Sequence, residues 1–466
     1  MAEETPSKWT PMTLLHRITQ ELGLNAILSS PLDVKLLCLQ RFVRLFAYGG
    51  STLILVTYLS ALDVSNKLIG LFMTLTLFGD VVISFFLTLI ADQLGRRNVL
   101  ALGAILMVAS GIVFAQATNY YILLAAAILG VITPSGNEIG PFRAVEESAI
   151  AHLTTPDKRN HVFAWSALIG TGGAACGLIS CGWTVTLLIQ KRHWDPLDCY
   201  RLIFLAYAAL GGVKFLLILC LSKGCEADPP TNIADADETA PLLQETGTVP
   251  APQPSKKKTF TLLPDISPES RPILVQLCFL FAMDSFASGL APMSWVTYYF
   301  HHHFSMPESQ LGTLFFSTSI LQSISVLLAA SIATRIGNVK TMVFTHLPSA
   351  ICLALIGIPT HLSLAITLVV LRSATQSMDT APRSAFLSAI VRPGERTAVM
   401  GLVNVVKTAS QSLGPSITGV LGGREMFWVA FLLAGCLKAA YDVGMLLTFV
   451  GHKERKADGS EEGSAR

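Results

Sequence analysis

Charged side chains recur inside stretches of this sequence that are otherwise apolar, and their spacing is the first feature that could do chemistry. Arg143 and Glu147 are four residues apart, as are Asp379 and Arg383, so on a helix each pair shares one face. The second pair follows the first by 236 residues with the order of charge reversed. Arg372, seven residues before Asp379, falls on that same face. Asp284, with Ser288 one turn on, stands in a long apolar run. Desolvation can hold such a carboxyl protonated at neutral pH, which makes Asp284 a candidate proton carrier or a counter-ion for Arg372. Glu138, beside Asn137 and among Gly130, Gly136 and Gly140, is a second candidate for proton coupling in a loosened helix. Asp80 lies in a polar stripe of Thr76, Ser84 and Thr88; Lys407 lies in another with Asn404 and Gln411. Lys438 and Asp442, again four apart, are expected to pair locally. Three consecutive imidazoles, His301, His302 and His303, cannot share one helical face, so they read as an interfacial tract rather than a metal site.

The elements that must carry these residues follow from composition. The chain has 466 residues, 52% hydrophobic and 14% charged, with a mean hydropathy of +0.55. A soluble domain carries about 25% charged residues, so lipid is the solvent this surface matches. A formal net charge of +2 gives no reason to expect a nucleic-acid partner. The nine cysteines sit singly and without metal-ligand spacing, so no metal and no cofactor is implied. No Gly-x-x-x-x-Gly-Lys-Ser/Thr loop is present, which points to gradients rather than ATP as the energy source. No catalytic set converges inside a span, and the chain is not expected to be an enzyme.

A helix needs roughly 20 apolar residues to cross a bilayer. Six such stretches precede residue 222 (42–62, 68–91, 99–117, 121–150, 162–189, 202–221) and six follow residue 271 (273–300, 311–336, 341–358, 362–390, 398–421, 426–450). The division is an N-terminal segment 1–41, a six-helix bundle 42–222, a polar linker 223–271, a second bundle 272–451 and a tail 452–466. With both termini cytosolic, the inner loops hold Arg96, Arg97, Lys158, Arg159, Arg335, Lys340, Arg392 and Arg396; the loop 190–201 is the one dissenting basic cluster. The halves repeat each other: Ile90-Ala91-Asp92-Gln93-Leu94-Gly95 aligns with Ile332-Ala333-Thr334-Arg335-Ile336-Gly337, and the tetrapeptide 156–159 with 393–396. Parallel six-helix repeats are an architecture of secondary transporters.

The loop Ala91-Asp92-Gln93-Leu94-Gly95-Arg96-Arg97 resembles the Gly-x-x-x-Asp-Arg-x-Gly-Arg-Arg signature of the major facilitator superfamily, in a eukaryotic, fungal-like form. It departs from that signature at Thr88 and Gln93. The fifth-span signature of the family's drug exporters is poorly matched by the segment 170–177, which has no Pro. The resemblance implies an all-α membrane protein of 12 transmembrane helices in two pseudo-symmetric bundles, and transport of a small-molecule substrate by alternating access. It also implies that the first, fourth, seventh and tenth spans line the cavity. Arg143, Arg372, Asp379, Arg383 and Asn137 are then expected along the substrate path, and Asp284 and Glu138 as proton-coupling candidates. Asp92, Gly95, Arg96, Arg97 and Glu147 are expected to act as gates, as is a pair between Asp80 and Lys407, since the second and eleventh helices of this fold meet between the halves. The excess of Arg and Lys over carboxylates favours an anion, such as an organic acid or secondary metabolite. A drug or toxin efflux permease and a non-transporting receptor or scaffold are the alternatives. Within the linker, Glu238-Thr239-Ala240-Pro241-Leu242-Leu243 resembles an acidic dileucine sorting signal. A sorting adaptor is its implied partner, and the plasma membrane or a vacuolar or lysosomal membrane the expected location. A monomer in the bilayer is expected.

Overall fold

A computed structural model of the chain describes residues 24–130, 132, 134, 141–226, 271–391 and 395–450. It is helical, with no strand among the described residues. A short helix α1 (Leu24–Leu28) leads into α2 (Leu32–Ala61), α3 (Asn66–Leu94), α4 (Arg96–Gln116), α5 (Tyr120–Gly130), α6 (Pro141–Leu153), α7 (Pro156–Arg192) and α8 (Pro196–Leu219). The second half runs through α9 (Arg271–Leu290), α10 (Met293–Phe304), α11 (Glu308–Ile336), α12 (Asn338–Leu355), α13 (Leu362–Thr375), α14 (Thr380–Ile390), α15 (Arg396–Gly422) and α16 (Phe427–Phe449). Among the described residues, eight helical stretches are long and apolar enough to cross a membrane by length and composition.

Three of the expected spans are broken. The fourth is α5 and α6, the seventh α9 and α10, and the tenth α13 and α14. Pro292 accounts for the seventh: it has no N–H to donate and pushes the residue before it out of the helical region. Such breaks leave backbone groups that must be satisfied by protein rather than lipid. Ser294, in the first turn of α10, does this for the fourth span: its hydroxyl donates to the carbonyl of Pro134 at 2.6 Å and to that of Thr52 at 3.0 Å. The first span also starts ten residues earlier than the apolar reading placed it, at Leu32. Its extra turns bury Val34, Leu37, Cys38, Gln40 and Arg41.

Burial is inverted relative to a protein folded in water. Leu447 is 77% exposed and Phe279 68%, whereas Arg44, Asp80, Lys214 and Asp284 are buried. Apolar surface turned outward is stable in lipid, and charges then collect in the bundle interior.

The packing follows the repeat. In the first half α2 lies on α7, and α4 on α8; in the second, α9 lies on α15, and α12 on α16. Close approach is set by glycine: a Cβ on Gly177 of α7 would collide with the Phe46 carbonyl of α2. Gly95 and Gly337, at equivalent turns of the two halves, share a backbone that side chains rarely adopt, with φ of 85° and 86°. Between the halves, α3 packs on α15 and α7 on α11. The described polar contacts of this interface gather at the end that carries loops 62–65 and 305–307. There Asn66 donates to the Gly422 carbonyl, Ser416 to Thr74, Trp183 to Thr313, and Tyr200 to Glu308. That end of the bundle is sealed.

Candidate substrate cavity

The second half encloses a cavity of about 430 Å³. Its described walls come from the seventh to twelfth spans and include Asp284, His346, Arg372, Asp379, Arg383 and Lys438. A volume in this range suits a small metabolite.

Asp284 of α9 is the hub of a buried ion network. Its Oδ1 accepts a hydrogen bond from Lys438 Nζ of α16 at 2.7 Å, and its Oδ2 one from Arg383 Nη1 of α14 at 3.4 Å. Lys438 also donates to Ser288 at 2.8 Å. Arg383 pairs with Asp379 one turn back and lies over the rings of Phe281 and Tyr441. The Lys407 ammonium sits 5.6 Å from the Phe281 ring centre. Arg372 differs from all of these. It lines the same cavity, yet among the described residues it has neither an ion pair nor a hydrogen bond. On the described cavity wall three cations (Arg372, Arg383, Lys438) therefore stand with two carboxylates (Asp284, Asp379). The surplus positive charge is at the cavity wall, where an anion could meet a forked guanidinium.

Two expected pairings are corrected here. Lys438 and Asp442 do not pair with each other: Lys438 goes to Asp284, and Asp442 to His346, whose Nδ1 is 3.0 Å from both carboxylate oxygens. Four residues is somewhat more than one helical turn, so the two side chains diverge toward α9 and α12. Asp284 is likewise not the counter-ion of Arg372, being held by Lys438 and Arg383.

The first half carries a network of its own. Arg143 and Glu147 form the local pair at 2.8 Å, at a site open enough that the Arg143 side chain is 47% exposed. Arg143 is not among the described lining of the cavity. Behind that pair, Arg44 and Glu146 form a buried ion pair at 2.5 Å, and Arg41 reaches Ser166 at 3.1 Å and Glu147 at 3.9 Å. The apolar reading missed Arg41 because it began the first span at Phe42, and it passed over Arg44 inside that span. It also missed Glu146, Lys214 and His346. The repeat holds a signal for two of them. Arg44 and Glu146 join the first and fourth spans as Asp284 and Arg383 join the seventh and tenth, with charges exchanged and offsets of 240 and 237 residues (44 to 284, 146 to 383).

In the loop between α3 and α4, Gly95 makes the expected turn, but the cap on α4 is Glu226. Its carboxylate accepts from the Arg96 and Arg97 backbone N–H groups at 2.6 and 3.1 Å. A carboxylate there satisfies free donors and faces the positive end of the helix. The Arg97 guanidinium donates to the Leu219 carbonyl. The Asp92 side chain, Asn137, Glu138 and the motif residues Glu238, Leu242 and Leu243 lie outside the described residues.

The second and eleventh spans meet as the resemblance implied, in an antiparallel register that sets Asn66 beside Gly422 and Thr74 beside Ser416. Continuing that register brings Asp80 level with Lys407. In this structure they nevertheless form no ion pair: Lys407 is drawn to Phe281, and buried Asp80 has no ion-pair partner among the described residues. The pair expected between the halves is absent from this state. At the sealed end, His301 Nδ1 faces the Met306 carbonyl, while His302 stacks on Tyr298 and His303 on Tyr299, so the three imidazoles point apart.

Comparison with known proteins agrees with this architecture. The family model described as Major Facilitator Superfamily matches residues 37–290 and 274–465. An uncharacterized membrane protein of Saccharomyces cerevisiae, YJR124C, is 38% identical over 434 residues, covering 90% of this chain and 94% of the relative. Among solved structures, the nucleoside transporter NupG superposes with a TM-score of 0.67 at 13% identity, over 90% of this chain and 99% of that one. The human organic anion transporter MFSD10 (TETRAN) gives 0.54 at 16% identity, over 89% and 98%. A bacterial homologue of the human lysosomal transporter Spinster, in an inward-facing and occupied conformation, gives 0.62 at 13% identity, over 89% and 94%.

Proposed function

Since the chain belongs to the Major Facilitator Superfamily, we propose that it is a secondary carrier that moves a small polar anion, an organic acid or acidic metabolite, by alternating access and together with protons. The observation that carries the anion is Arg372. A guanidinium on the wall of a membrane-embedded cavity, without a carboxylate partner among the described residues, is costly to leave uncompensated, and a substrate carboxylate or phosphate supplies the missing charge bidentately. Ser319, Gln322, Ser373 and Gln376 on the same walls offer donors and acceptors for hydroxyl or carbonyl groups of such a solute.

The sealed end is the outer one if both termini are cytosolic, as the basic residues of the inner loops require. The state described is then inward-facing, with the cavity reached from the Gly95 and Gly337 end. A monomer in the bilayer is the form expected. The linker motif Glu238, Leu242 and Leu243 supports delivery to a vacuolar or lysosomal membrane by a sorting adaptor, with the plasma membrane as the destination without it. The solved organic anion transporter and the Spinster homologue are consistent with such cargo and location.

The test is a comparison of metabolite levels in cells with and without the protein, and with Arg372→Gln. The reading expects one or more acidic metabolites to change with the wild-type chain and to revert with the variant. A change confined to bulky apolar compounds would indicate an efflux permease, and no change in any metabolite a receptor or scaffold.

A further inference from the structure

We propose that His346, held by Asp442, is the proton-binding site of the carrier and opens into the cavity that Arg372 lines. The proposal rests on the reading of the chain as an anion carrier and adds where its proton is taken up.

Most other titratable groups on the described cavity wall are already committed to ion pairs. Asp284 is engaged by Lys438 and Arg383, and Asp379 by Arg383. Protonating either carboxyl would strip a buried cation of its partner, which is costly in a low-dielectric interior. Arginine stays charged at any ordinary pH, and Lys438 is fixed by Asp284 and Ser288. His346 is different. Its side chain is 4% exposed and lines the cavity, while its Nδ1 donates to the Asp442 carboxylate. Asp442 is buried behind it, with a side-chain exposure of 1%. That hydrogen bond fixes the tautomer and leaves the second ring nitrogen, Nε2, as the acceptor. When Nε2 takes a proton, the imidazolium already has its counter-ion in place, and the new charge is neutralised locally. The proton adds to a ring whose partner pre-exists, and no ion pair has to break.

The surroundings support one proton at this position. From α16 the ring meets Asp442 and, edge to face at 6.1 Å, the ring of Tyr441; Lys438 stands one turn before Asp442. Asp284 of α9, Arg372 of α13 and Arg383 of α14 share the cavity wall with it. From α11 the titratable residues are Glu308 and Arg335, at the two ends of that helix. An anion that settles on Arg372 lowers the positive potential in this cavity and so favours a proton on His346. The proton in turn favours the anion, because coupling between two sites is reciprocal. With both bound, the cavity carries the same net charge as when empty, so the loaded and empty carriers face the same electrostatic barrier to reorientation.

The test uses the purified full chain in lipid nanodiscs with nitrogen-labelled histidine. The spectrum of His346→Asn identifies the His346 signals among the ten histidines. In the wild type, His346 is expected to gain its second proton as the pH is lowered across the range the folded protein tolerates. In Asp442→Asn that change should move to lower pH by about one unit, because the imidazolium loses its counter-ion. A wild-type His346 that keeps one protonation state across that range overturns the proposal, whether or not Asp442→Asn folds. A second arm uses proteoliposomes and radiolabelled lactate, succinate, citrate and phosphate as probes. For a probe that the wild type accumulates under a pH gradient, Asp442→Asn should lose about tenfold more accumulation than exchange. Equal losses overturn the site. If no probe is moved by the wild type, the anion-carrier reading falls, while the spectra still decide the proton site.

Discussion

The two halves of the molecule each tie their first and fourth helices together with a buried ion pair, Arg44–Glu146 in one and Asp284–Arg383 in the other. They differ in what surrounds that pair. In the first half the neighbouring charges close on one another: Arg41 reaches Glu147 and Ser166, and Arg143 reaches Glu147. In the second half the network borders the cavity, gains Lys438 from the twelfth span, and leaves Arg372 without a described partner. One repeated scaffold thus pairs its charges in two ways. A closed network positions helices, whereas a network with an unmatched cation on a cavity wall presents a binding site. The difference between mechanical and binding charges is read from pairing, since both sets are buried.

The largest test of this contrast removes a hub. Asp284→Ala leaves Lys438 and Arg383 short of a buried partner and should destabilise the protein by about 3–5 kcal/mol, in the range found when one member of a buried pair is removed. Thermal unfolding in detergent measures it. A loss of less than about 1 kcal/mol, the range of exposed pairs, would mean that water already screens the network.

A smaller effect is expected at the boundary between the halves. Asp80 has no ion-pair partner among the described residues but is level with Lys407, so closing the open end should bring the two together. Asp80→Asn then loses a contact present only in the opposite state and should favour the state described, raising labelling of a cysteine placed at Gly401 by about fivefold, a typical coupling magnitude. Unchanged labelling would return Asp80 and Lys407 to independent roles. The charge swap Asp80→Lys with Lys407→Asp should restore wild-type labelling.

The smallest effect belongs to Arg143. Its pair with Glu147 is open to solvent, so Arg143→Ala should change stability by no more than about 0.5 kcal/mol. A loss several times larger would place Arg143 within the closed network rather than at its edge.

Much of this was legible in the sequence. The local pairs Arg143–Glu147 and Asp379–Arg383 follow from helical spacing alone, and the repeat from the matching turns at Gly95 and Gly337. The convergence of Arg372, Asp379 and Arg383 on one cavity was also visible, because one face carries them across the break in the tenth span. What spacing does not contain is the rotation of one helix about its axis relative to the next. Lys438 and Asp442 illustrate this. Four residues apart, they meet Asp284 on α9 and His346 on α12 because the twelfth helix packs against both. Arg41 was hidden for another reason. A polar first segment, Leu32–Arg41, continues the first helix through burial against its neighbours rather than through hydrophobicity. Glu226, the cap on α4, comes from 130 residues away, and no local pattern marks it.

The central claim is that the unmatched charge at Arg372 selects the cargo, and counterflow in proteoliposomes tests it most directly. Vesicles loaded with an unlabelled organic acid that the wild type transports are diluted into the labelled acid, and entry is compared for wild type, Arg372→Lys and Arg372→Gln. Because Arg372 has no described partner to orphan, both variants should fold, with stability within about 0.5 kcal/mol of the wild type. Arg372→Gln should lose counterflow by at least about tenfold, and Arg372→Lys, which keeps the charge but not the fork, should fall between. Counterflow of the acid at the wild-type rate in a folded Arg372→Gln protein would contradict the account.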